Sequence, residues 1–180
     1  MADRPIPARS EVPEESTWNL KDVFESDEAW QAEYEALKTV PEQIEAFRGK
    51  LGESAETLLS WFRLSDALSV RLEKLYGYAS CKGDEDTGNG FYQGMRSKAL
   101  ATLVAIDAAS AFETPEIMAL DEDTVNLFYA AQPELETYRR NIYKIRRRKA
   151  HILSPEEEKL LSAAGEMANG PENIASVFRD

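Results

Sequence analysis

Two long runs of helix-spaced apolar residues meet at one cluster of turn formers, and few folds can satisfy both. The cluster lies within Leu75–Tyr92, LYGYASCKGDEDTGNGFY, where Gly83, Gly88, Asn89 and Gly90 accompany the acids Asp84, Glu85 and Asp86. Residues of these kinds break a helix and leave the break in water. Ahead of the cluster, Leu58, Trp61, Leu68, Leu72, Leu75 and Ala79 form a stripe, with Phe62 and Tyr76 on its shoulders. Behind it, Tyr92, Met95, Ala99, Leu103 and Ile106 form a second stripe among alanines that permit close helix packing. The expectation is a long antiparallel helical hairpin bent at 75–92, with both stripes in the core and not lining a ligand box.

The remaining segments read as shorter helices. Residues 1–17 hold three prolines and many polar side chains, which suggests an extended N-terminal arm. Trp18, Leu20, Val23 and Phe24 suggest an apolar knot that pins the arm through buried rings. Ser26 and Ser54 are N-cap residues, and Asp27 and Glu28 suit the positive end of a helix. Trp30, Tyr34 and Leu37 share a face that Pro41 ends, and Ile44 and Phe47 form a short piece stopped by Gly49 and Gly52. Thr114-Pro115 reads as a cap followed by a helix-starting proline, and Asp121 as the next cap. Pro133 opens a helix carrying Leu135, Tyr138, Ile142 and Ile145 on one face. Ser154-Pro-Glu-Glu is a capping box, followed by Leu160 and Leu161 and then by a last amphipathic piece with Ile174, Val177 and Phe178. No stretch alternates as a strand does. The fold class is all-α, a multi-helix bundle built on the hairpin, with residues 18–180 as its helical domain.

Composition removes several functions. The net charge of −12 speaks against nucleic-acid binding, which needs clustered Lys and Arg. A basic run does occur at Arg139, Arg140, Lys144, Arg146, Arg147, Arg148 and Lys149, and it reads as a solvated helix C-terminal face before it reads as an anion site. The N-terminus has no apolar leader, and no apolar run approaches the roughly 18 residues needed to span a bilayer. The expected location is therefore the cytoplasm, with no membrane partner. The single cysteine, Cys81, cannot form an internal disulfide and reads as a half-buried helix residue.

Reaction chemistry is missing from the residues. A metalloprotease helix presents His-Glu-x-x-His, with two His on successive turns to hold zinc and a Glu to act as general base. This chain has one histidine, His151, and it precedes a helix cap. Asp84 and Asp86 invite a calcium-loop reading, but Gly88, Asn89 and Met95 stand where that loop needs a ligand, a glycine and a bidentate Glu. Neither a phosphate-cradling loop nor a G-x-S-x-G elbow is present. No catalytic, cofactor-binding or metal-binding residue is expected.

Several segments, in order, resemble the N-terminal region of oligoendopeptidase F, a zinc metallopeptidase of the thimet-oligopeptidase clan, family M3. They are Arg9-Ser-Glu-Val with Trp18-Asn-Leu, Gly49-Lys-Leu, Tyr76-Gly-Tyr-Ala with Asp84-Glu-Asp-Thr, Phe112 with Pro115-Glu-Ile, and His151-Ile-Leu-Ser-Pro-Glu-Glu-Glu with Leu160-Leu161. The resemblance implies a cytoplasmic hydrolase that cuts short peptides, through attack of zinc-activated water with a Glu taking the proton. It places the zinc ligands in a catalytic domain beyond residue 180, so the chain alone is expected to be inactive and truncated before that domain. Its partners would be that catalytic domain and short peptide substrates. The helical region would be a wall of the channel through which substrate enters. The alternative is a stand-alone helical interaction module without enzymatic activity.

Overall fold

In a computed structural model, residues 11–151 are described, and they form helices joined by turns with no strand among them. The chain divides into two compact units, residues 1–139 and 140–180.

The first unit is organised on α3 (Ala55–Glu85) and α4 (Gly90–Ser110), the two limbs of an antiparallel hairpin. The Ser54 side chain caps α3 by accepting from the Thr57 N–H at 3.1 Å. Leu58, Trp61, Leu68, Leu75 and Ala79 of the first stripe are buried, as are Met95, Ala99 and Ile106 of the second. Before the hairpin come α1 (Asp27–Leu37), capped by Ser26 accepting from Ala29 N–H at 3.3 Å, and α2 (Val40–Glu45). Helix α2 packs on α4, and α1 on both limbs. Trp30, fully buried, donates its indole N–H to the Leu75 carbonyl at 2.8 Å and stacks on Tyr34.

After the hairpin come α5 (Glu113–Ala119) and α6 (Glu122–Ala131), the latter capped by Asp121 accepting from the Thr124 N–H at 2.6 Å. Helix α6 and a 3-10 segment, Pro133–Tyr138, pack on α3. Tyr138 stacks on Phe62 and donates to Asp66 at 2.6 Å. The Glu116 carboxylate returns to the loop before α3 and accepts from the Gly49 and Leu51 N–H groups at 2.6 and 3.1 Å. Gly49 has φ +78, a left-handed conformation that side chains with a Cβ adopt at a cost. Helix α7 (Arg139–Arg147) begins at the end of the first unit. Within the second unit Ile142 is buried and Tyr143 is exposed.

Five expectations need correction. The bend is four residues, 86–89, and α3 continues through Gly77, Gly83, Asp84 and Glu85. Gly83 is buried, and its carbonyl accepts from the Gln93 side chain at 2.9 Å. A Cβ at Gly83 would meet that side chain at 3.3 Å, so the glycine permits the limbs to approach and does not end the helix. Burial along α3 outweighs the roughly 1 kcal/mol that each helical glycine costs. The Trp18 ring is not buried: it is 84% exposed, and the contact that the knot does make is Phe24 edge-on to Tyr78. Cys81 is exposed. Thr114 does not cap α5, which starts at Glu113, because the Phe112 ring buried against Trp61 anchors the start from the apolar side. Pro133 opens a 3-10 segment before α7 and not one continuous helix. The capping box at Ser154 and the final amphipathic piece lie outside the described residues.

Candidate functional site

The hairpin leaves a groove between its limbs, about 500 Å³ in volume. Leu68 and Leu72 of α3 and Leu100, Leu103 and Val104 of α4 supply its apolar part. Trp61, Ser65, Asp107, Ser110 and Glu113 supply its polar part. Gln93 bonded to Gly83 and Arg96 paired with Asp84 set the antiparallel register. The ionisable side chains that line the groove, Asp107 of α4 and Glu113 of α5, are both acids. Two apolar side chains remain in water, Leu100 at 51% and Val104 at 62% exposure.

Trp61 is wedged between the Phe47 and Phe112 rings and only 1% exposed. Its indole N–H is buried beside the Glu113 carboxyl. Burial pushes the Glu113 carboxyl above the usual carboxylate range, and a hydrogen bond from the Trp61 indole acts in the opposite direction.

A second polar cluster lies where α1 meets both limbs. The Asp27 carboxylate accepts from Tyr78 Oη at 2.7 Å and Tyr92 Oη at 3.3 Å. The Lys82 ammonium stands 5.7 Å from the Tyr78 ring centroid and 5.3 Å from that of Tyr92. Burial, then the Asp27 charge, pushes both phenols above their ordinary range. These groups join elements and have no nucleophile or general base poised between them. Nothing in the sequence marks Asp27 for this role beyond its place in the first turn of a helix.

In the basic run Arg139 pairs with Glu136 at 2.5 Å and lies over the Tyr129 ring, so this cation is committed to structure. Arg140, Lys144, Arg147, Arg148 and Lys149 are exposed. Asp84, Glu85 and Asp86 do not form a cation cage. Asp84 pairs with Arg96 at 3.1 Å, and Asp86 accepts from the Gly88 N–H at 3.0 Å.

Among the described residues no group of three or more His, Cys, Asp and Glu is placed to hold a metal ion. None of the described helices is long and apolar enough to cross a membrane. The described residues therefore do not fit a zinc site.

Relatives were found by sequence and by structure. A family model described as Oligopeptidase F matches residues 116–180. Oligopeptidase PepF of Bacillus subtilis (strain 168) is 39% identical over 175 residues, which are 97% of this chain and 26% of that protein. Oligoendopeptidase F, plasmid, of Lactococcus lactis subsp. cremoris is 37% identical over 94% of this chain and 28% of its own length. The chain thus spans between 26% and 28% of the length of these curated relatives. Among solved structures, oligoendopeptidase-F from Enterococcus faecium superposes with a TM-score of 0.64 at 31% identity, over 84% of this chain and 29% of that one. A peptidase from Chlamydophila abortus superposes with a TM-score of 0.77 over 91% of this chain and 28% of that one, and at 24% identity it speaks for the fold alone.

Proposed function

We propose, on the premise that this chain is the counterpart of the N-terminal region of oligoendopeptidase F, that it forms one wall of a peptide channel in a zinc endopeptidase. The observation that carries this reading is the 39% identity held over 97% of the chain. Residues 18–180 are the helical N-terminal domain, preceded by the arm at 1–17 and followed in the whole enzyme by a catalytic domain that holds the metal. The substrates are short peptides, because a channel walled by packed helices admits an extended chain and excludes a folded protein. The enzyme works in the cytoplasm, without nucleic-acid or membrane partners. This chain supplies binding surface and no catalytic group, and on its own it does not hydrolyse peptides.

Two measurements test the reading. An antibody to this chain should capture from its source a denatured species several times heavier than 20.2 kDa. That species should cleave a quenched peptide, lose the activity to a chelator and regain it with zinc, while the purified chain cleaves nothing. Chelator-sensitive hydrolysis by the purified chain would overturn the division of labour. A captured species of 20.2 kDa would overturn the peptidase and leave the alternative, a helical interaction module. The exposed cations Arg140, Lys144, Arg147, Arg148 and Lys149 would then be its contact for an acidic partner.

A further inference from the structure

The described arginines fall into two groups. Arg48, Arg63, Arg71, Arg96 and Arg139 each pair with a carboxylate inside the fold. Arg140, Arg147 and Arg148 are exposed, as are Lys144 and Lys149, and none of these five is paired with a carboxylate among the described residues. Supply is not the reason, since the chain holds 33 acids against 21 Lys and Arg. From Arg139 to Lys149, seven of eleven residues are basic and none is acidic. This run carries +7 of a chain that totals −12, so the remainder carries −19. Arg140 and Lys144, like Lys144 and Arg148, are like charges four residues apart, a spacing that costs helix stability. The helix dipole accounts for Lys144 and Arg147 in the last turn of α7, but not for Arg140 at its other end.

We propose that this face of α7 binds a short, extended, acid-rich stretch of peptide. Arg140, Tyr143, Lys144 and Arg147 follow at spacings of three and four, so they share one side of the helix. Arg140 and Lys144 stand about 6 Å apart along the axis. Alternate side chains of an extended peptide stand about 7 Å apart on one side, so carboxylates at alternate positions meet successive cations. Arginine forks match carboxylates in two parallel hydrogen bonds. Tyr143, 62% exposed, adds a ring and a hydroxyl to the same face. A partner helix needs an apolar seam, and Tyr143 is the one aromatic or aliphatic side chain among the exposed residues of α7. A long polyanion such as a nucleic acid overruns a helix about 13 Å long and meets the acidic remainder. A peptide of about four extended residues stays within the face. Calling that peptide a substrate rests on the peptidase reading above, whereas the docking rests on charge and spacing.

The test is fluorescence anisotropy of the peptide acetyl-Ala-Glu-Ala-Glu-Ala-Glu amide, carrying an uncharged coumarin label, against this chain. It should bind saturably and weaken as salt rises from about 20 to about 200 mM. Exposed ion pairs are individually weak, so the face acts through several at once, and the counterpart with Gln for Glu should bind about tenfold more weakly. Combining Arg140→Gln, Lys144→Gln and Arg147→Gln should cost the acidic peptide about tenfold, with an unchanged circular dichroism spectrum. Combining Lys21→Gln, Lys50→Gln and Lys74→Gln removes the same charge from exposed lysines elsewhere and should leave binding as it was. In the heavier native species the acidic peptide should be cleaved in preference to its Gln counterpart, and the first triple variant should lose that preference.

No binding of the acidic peptide up to about 10 mM, a concentration that would reveal even millimolar affinity, overturns the proposal. Equal losses in the two triple variants overturn it as well, because the attraction would then belong to the whole chain and not to α7. Tighter binding of a thymidine hexanucleotide or of phosphatidylserine vesicles than of the peptide overturns the choice of partner. Binding by this chain that vanishes in the heavier native species overturns it too, because the rest of that polypeptide would then cover the face. The two readings fail separately. Acidic-peptide binding by a protein without peptidase activity would keep the face and remove the substrate. An active peptidase that does not bind the peptide at α7 would keep the enzyme and remove the face.

Discussion

Asp27 joins the start of α1 to both limbs of the hairpin, and its removal should destabilise the first unit more than a half-exposed carboxylate ordinarily would. Tyr78, 3% exposed, donates to it at 2.7 Å, and Tyr92 donates at 3.3 Å. A hydrogen bond to a charged group contributes about 1.5–3 kcal/mol net. A carboxylate in the first turn of a helix adds about 0.3–1 kcal/mol. The longer bond from Tyr92 adds little, and partial exposure of Asp27 keeps the total below the sum. Asp27→Ala should therefore cost about 2–3 kcal/mol. The assay is urea unfolding at pH 7, followed by far-ultraviolet circular dichroism and read as a lower midpoint at unchanged slope. A double-mutant cycle with Tyr78→Phe isolates the bond, and the expected coupling is about 1–2 kcal/mol. Additivity of the two substitutions to within about 0.3 kcal/mol would refute the reasoning, because the phenol and the carboxylate would then stabilise the fold independently.

Three further outcomes follow from the same packing. Leu75→Ala empties a fully buried site beneath Trp30 and should cost about 2–5 kcal/mol, lowering the melting temperature by roughly 2–4 °C per kcal/mol; a loss under about 1 kcal/mol would mean that the site collapses without a cavity. Ser54→Ala should cost about 1 kcal/mol in the same unfolding assay, and Ser54→Asp should restore most of it, since either oxygen can accept from the Thr57 N–H. Tyr78 has a raised pKa, so the contribution of its neutral phenol is fully present below pH about 10 and is lost as pH rises beyond that value. Absorbance titration should show Tyr78 ionising last, and Tyr78→Phe should abolish that late step; a first, uncooperative ionisation of Tyr78 would contradict its burial.

Helices, caps and the existence of the hairpin were open to reading from residues alone, because each depends on neighbours a few positions away. Ser26, Ser54 and Asp121 act as caps by accepting from an N–H three residues on, whatever the rest of the chain does. The two apolar stripes repeat with the helical period, and most of their residues are buried where that period puts them. The family likeness was legible for a related reason, since an ordered set of short segments survives where no single motif is distinctive.

The width of the bend was not legible. Whether Gly83 ends a helix or lets another helix come near depends on Gln93, and Gln93 reaches it only once the limbs have packed. Trp18 looked like a core residue because a large apolar ring gains most from burial, yet burial needs a surface in the right place, and Trp18 stays 84% exposed. Asp27 could be assigned to a helix dipole, but its two phenol donors lie 51 and 65 residues away. The groove was the least visible of all. Its leucines and valine carry the same periodic signal as core residues, and its acids sit on separate helices. Periodicity records which face of a helix is apolar, whereas the placement of neighbouring helices sets which part of that face meets protein and which part stays in water.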